Sequence, residues 1–132
     1  MNSTQLLTEL ECFVALQTSL VEFFYSSYPQ LTDIETLLDA PRNGSLKTAK
    51  KTWSFQKHGI GMTFENSEGV VVNAHSSFSL PQKFDAWRIL LYLESIGKID
   101  EDVLERDIDV ELSKLVSSGD LLQESQHLYQ LA

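Results

Sequence analysis

Two histidines sit in glycine- and serine-punctuated stretches, His58-Gly-Ile-Gly61 and Asn73-Ala-His75-Ser-Ser77. If the segments carrying them pair within one sheet, the two imidazoles approach each other near one end of it. A metal site there would need a third ligand, for which Asp85 or Glu65 are candidates, but the spacing specifies neither. No close His/Cys/carboxylate cluster exists, so neither a metal nor any other cofactor is expected. A hydrolase would take Ser76 or Ser77 as nucleophile, a histidine as base and the Gly59 or Gly61 amides as an oxyanion hole. The Gly-x-Ser-x-Gly elbow is missing. The plainer reading is a strand-end turn, with glycines for backbone freedom and histidines bonded to backbone. His58, His75 and Asp85 together remain the alternative: a ligand site of a small enzyme or binding domain.

The densest chemistry of another kind is acidic: Asp100-Glu-Asp-Val-Leu-Glu-Arg-Asp-Ile-Asp-Val-Glu111. Carboxylates favour the first turns of a helix, and such a run is commonly a solvated face. The same face can steer and select a cationic partner. Glu101, Asp102, Glu105, Asp107, Asp109 and Glu111 are the residues expected to do so.

Charge is segregated along the 132 residues, which carry a net charge of −9. Residues 1–39 hold six acids and no base; residues 40–64 hold five bases (Arg42, Lys47, Lys50, Lys51, Lys57) and no acid; residues 94–132 hold ten acids and three bases. The surplus argues against a general nucleic-acid coat and makes a basic partner plausible. The basic stretch 42–57 could bind phosphate, though a lysine-rich connection beside an edge strand accounts for it more simply. Cys12 stands alone, so no intrachain disulfide forms, and no nearby positive charge activates it. Trp53, Phe55, Phe64, Trp87 and Tyr92 read as core rather than as a stacking platform. No cationic leader or unbroken apolar span of about 20 residues occurs, so no membrane insertion and a cytoplasmic setting are expected.

The elements that must position these groups follow from periodicity. Thr4 to Tyr28 reads as a helix whose apolar arc covers about half its circumference, wider than one packing partner needs. Such a helix is central or sits partly at an interface, and a homodimer could use it. Pro29 ends it, and a short helix is expected at Asp33–Asp39. Ala40 to Ser45 reads as a turn-rich linker. Alternation at Trp53/Phe55, alternation at Met62/Phe64, and the run Val70–Val72 then give three short strands joined by tight turns. Ser79-Leu-Pro-Gln82 looks like a helix start, leading into an apolar helix from Phe84 to Ile96. A short acidic helix near Asp100–Glu105, a helix from Ile108 to Ser118, and a terminal hairpin complete the chain, with a terminal helix as the alternative to the hairpin.

The expected fold is one α+β domain over residues 1–132: a long N-terminal helix, a three-stranded antiparallel meander, and C-terminal helices ending in a small hairpin. The last elements follow winged-helix order. A DNA-reading helix at 108–118 would present Asp107, Asp109 and Glu111 to phosphate with only Lys114 to offset them, so no nucleic-acid partner is expected.

The pattern Trp53-x-Phe55-x-x-His58-Gly59-x-Gly61-x-x-Phe64, followed by Gly69, His75, Phe84-Asp85 and Gly119, resembles a family of small uncharacterised bacterial proteins. The resemblance spans about residues 50–131. It implies the immunity side of toxin–immunity pairs: a cytoplasmic, non-catalytic inhibitor that binds a cognate toxin domain and blocks its active site. A basic toxin domain would suit the acidic surplus. The resemblance carries over no catalytic residue.

Overall fold

The computed structural model describes residues 1–29, 31, 41–48, 50–77 and 80–132. The expected short helix at Asp33–Asp39 and the expected cap Ser79 lie outside the described residues. The elements are α1 (Ser3–Ser27), β1 (Asn43–Lys47), β2 (Thr52–His58), β3 (Gly61–Asn66), β4 (Val71–His75), α2 (Ala86–Ser95), α3 (Glu105–Ser117), β5 (Leu121–Ser125) and β6 (Leu128–Leu131). The architecture is α+β, with an antiparallel sheet in the order β1-β2-β3-β4 and a terminal hairpin of β5 and β6.

α1 is central, which accounts for its broad apolar arc. It packs against β4, β1, α2 and α3. Phe13 meets Tyr92 of α2 edge-on with ring centroids 4.9 Å apart, and Phe24 meets Phe55 of β2 at 5.2 Å. One half of the helix therefore faces the other helices and the other half faces the sheet. Among the described residues, no large apolar side chain of α1 is exposed.

The sheet gains a strand where a linker is expected. β1 pairs with β2 from Asn43 opposite Gln56 to Lys47 opposite Thr52. Gly44 holds an inward position of β1 without a side chain, because the Phe55 ring occupies that space. A Cβ on Gly44 would sit 2.9 Å from a ring carbon of Phe55. A strand whose core position is filled from its neighbour shows no apolar alternation of its own. The β2–β3 turn is the two-residue loop Gly59-Ile60, with Gly59 at φ 65° and no positive φ at Ile60. That is the type II′ pattern, which places glycine first.

Two helix starts also shift. Residues 80–85 are not helical. Phe84 exchanges backbone hydrogen bonds of 2.9 Å in both directions with Tyr129 of β6, and α2 begins only after Asp85, whose carboxylate accepts the Arg88 N–H at 2.8 Å. The expected acidic helix near Asp100–Glu105 is instead a set of turns, and α3 starts at Glu105 rather than Ile108. The Leu104 N–H donates to Asp107 Oδ2 at 2.9 Å, so the carboxylate one turn on reaches back to tie off the helix start.

Candidate functional site

β2, β3 and β4 place His58, Gly61 and His75 in one row: His58 opposite Gly61, and Gly61 opposite His75. The two histidines share a face of the sheet, but β3 runs between their strands, about 10 Å from one to the other. Their environments differ. His75 is partly buried and turned to its own backbone: its Nδ1 accepts the Ser77 N–H at 3.0 Å. The Gln82 side chain clasps the same residue, accepting the His75 N–H and donating to the His75 carbonyl, both at 2.8 Å. Burial, reinforced by the charge of Lys83, holds the His75 imidazole below its usual pKa, so its neutral form is favoured.

His58 opens instead onto a shallow groove of about 520 Å³ whose other walls are Arg42, Asn43, Gln56, Lys57 and Gly59. Asp85 is engaged in starting α2. The three residues thus serve three separate places. No group of three or more His, Cys, Asp or Glu able to hold a metal occurs among the described residues. Ser76 is fully buried, with no partner for its hydroxyl among the described residues.

The six acids of the 101–111 segment are brought together only in part. At about 100° per residue, Glu105 and Asp109 lie on one flank of the buried stripe of α3, formed by Ile108, Leu112 and Leu115, while Asp107 and Glu111 lie on the other. The hydrogen bonds agree with this split. Tyr129 of the hairpin points its hydroxyl at Asp109, 3.5 Å away. Ser3 at the start of α1 donates to Glu111 at 2.6 Å, and Lys114 donates to the same carboxylate at 3.0 Å. Those contacts hold the Glu111 carboxyl below the usual carboxylate range. Glu101, Asp102 and Glu105 are exposed. The acids form two ridges rather than one face, and Glu111 alone among them has a cation partner among the described residues.

The α1-side ridge borders a feature that periodicity does not reveal. A crevice of about 210 Å³ runs between the start of α1 and α3, with Leu6, Ile99, Val103 and Ile108 as apolar walls and Asp107 and Glu111 among its lining. An apolar slot bearing carboxylates suits a basic side chain, whose stem can lie along the walls while its head meets the acids. Sequence spacing misses it because its walls come from two stretches far apart in the chain, residues 1–6 and 99–111.

Among the described residues, no helix is long and apolar enough to cross a membrane. No curated protein and no solved structure matches the chain. A domain of unknown function, DUF6896, matches residues 6–131, from the first buried turn of α1 to the last strand, and the chain belongs to that family.

Proposed function

We propose that this chain is a non-catalytic protein-interaction module: a bacterial, cytoplasmic inhibitor of immunity type that binds a basic toxin domain through its acidic edge. The observation that carries the reading is the crevice between α1 and α3, apolar inside and bearing Asp107 and Glu111. Exposed Glu101, Asp102 and Glu105 lie in the stretch between Ile99 and Asp107 of its lining and add long-range attraction for a cationic partner. The crevice supplies an anchoring slot, and the acids supply steering and selection. The small-enzyme alternative has less support, because His58, His75 and Asp85 lie in three different places, the last two held by contacts of the fold.

The test is capture from lysate of the chain's own organism at low and high salt, followed by an activity assay on what is captured. A single stoichiometric basic protein is expected, released by salt, whose activity stops on adding one equivalent of this chain. Reversing Glu101, Asp102, Glu105 and Asp109 to lysine should slow association by about tenfold or more at low salt. Unchanged association in that variant would sink the acidic-edge reading. A captured protein that stays fully active in the complex would sink the inhibitor reading.

A further inference from the structure

β2 alternates Trp53, Phe55 and Lys57 on its buried side, so a lysine takes the third place in a row begun by two core aromatics. Lys57 is only 9% exposed. Its backbone N–H donates to the Arg42 carbonyl at 2.7 Å, one step beyond the end of the β1–β2 ladder, so Arg42 and Lys57 lie across from each other. Like charges opposite each other on paired strands repel.

Of the six other lysines, four have a carboxylate partner, while the exposed Lys47 and Lys50 have none among the described residues. Lys51, Lys83, Lys98 and Lys114 each have a glutamate at 2.6–3.9 Å. Among the described residues neither Arg42 nor Lys57 has such a partner. Both line the groove of about 520 Å³ beside His58, and no carboxylate is among its walls. Two cations held side by side by strand register, with no carboxylate beside them, raise the local positive potential and favour an anion in the groove.

We infer that this groove binds a small phosphorylated ligand. Arg42 and Lys57 supply the charge, the guanidinium with the planar fork that matches phosphoryl oxygens. Asn43, Gln56 and His58, on the other face of the paired strands, form the remaining polar walls of the groove. The volume falls in the range of small-molecule sites. A polyanion is disfavoured, because a long strand leaving the groove would run over a surface of net charge −9. A compact dianion feels chiefly the charges within a Debye length of about 8–10 Å.

The inference is independent of the acidic-edge reading, since it uses other residues and needs no protein partner. Calorimetric titration of the full chain with inorganic pyrophosphate at low salt tests it. Saturable one-to-one binding is expected, weakened about tenfold or more in Lys57→Met and in Arg42→Gln, as loss of a charged hydrogen bond implies. Lys51→Met, which removes a lysine already paired with Glu68, should bind as the parent does. Circular dichroism checks that each variant is folded. If Lys57→Met does not fold, exposed Arg42 carries the test alone. Absence of saturable binding to the parent chain, or equal binding by all the variants, overturns the inference.

Discussion

The acidic segment 100–111 and the basic end of the sheet treat charge in opposite ways. In the acidic segment several carboxylates are parts of the fold: Asp107 ties off the start of α3, and Glu111 joins that helix to α1 through Ser3 and to its own next turn through Lys114. At the basic end Arg42 and Lys57 face each other, with no carboxylate to meet them among the described residues. A dense run of like charge is thus partly absorbed by local structure, whereas a sparse pair held together by strand register is left open. Density along the chain is a poor guide to which charges stay free to bind. Register and burial decide it.

The comparison depends on β1 holding Arg42 against β2, and its largest test is at Gly44. Gly44→Val places a side chain where the Phe55 ring already sits, 2.9 Å from the nearest ring carbon at Cβ. Overpacking of this kind costs about 1–3 kcal/mol. Urea unfolding should show that loss, hydrogen exchange at residues 43–47 should quicken, and pyrophosphate binding should fall with it. A variant of unchanged stability with β1 still protected would mean that Gly44 is not what seats the strand.

A smaller test sets one charge from each end against the other. Asp107→Ala removes the acceptor for the Leu104 N–H and should cost about 1 kcal/mol, as lost helix-start contacts do. Glu101→Ala, at an exposed position, should stay within about 0.5 kcal/mol of the parent. Lys57→Met should act in the other direction and stabilise by about 0.2–1 kcal/mol, because it removes a like-charge pair across the strands while keeping the buried stem. Chemical denaturation of the three variants under one set of conditions decides it. If Lys57→Met destabilises by as much as Asp107→Ala, Lys57 has a partner in the fold and the contrast between the two ends fails.

Much of this fold is legible in the sequence where side chains announce their own burial. The long apolar arc of α1, the alternation in β2 and β3 and the turn at Gly59 each have a local physical signature, and each element forms close to where that signature places it. β1 has none, because its inward position at Gly44 is filled by Phe55 from the neighbouring strand. The start of α3 is hidden for a related reason: the residue before the helix is Leu104, which has no capping side chain, and the contact comes from Asp107 in the first turn. The site residues divide along the same line. Lys57 falls in phase with Trp53 and Phe55, a spacing that marks it as inward-facing, but its opposition to Arg42 requires the unseen strand. The 210 Å³ crevice needs tertiary packing of α1 against α3 and the residues before it, which no local pattern encodes.

The finest test concerns pH, and it asks whether Glu111 is a structural carboxylate or a free one. Its hydrogen bonds from Ser3 and Lys114 lower its pKa in the folded chain below the ordinary value of 4.5. The unfolded chain therefore takes up this proton first as pH falls. The stabilisation from the ionised carboxylate is fully present above about pH 4.5 and disappears as pH drops through the lower, folded value. Urea midpoints measured from neutral pH downward should fall less steeply below pH 4.5 for Glu111→Gln than for the parent, and Ser3→Ala should shift the same way by less. Glu105→Gln, at an exposed position on the opposite flank of α3, should follow the parent profile. If Glu111→Gln also follows it, the clasp to α1 contributes nothing to the fold, and all the acids of the segment are equally available to a partner.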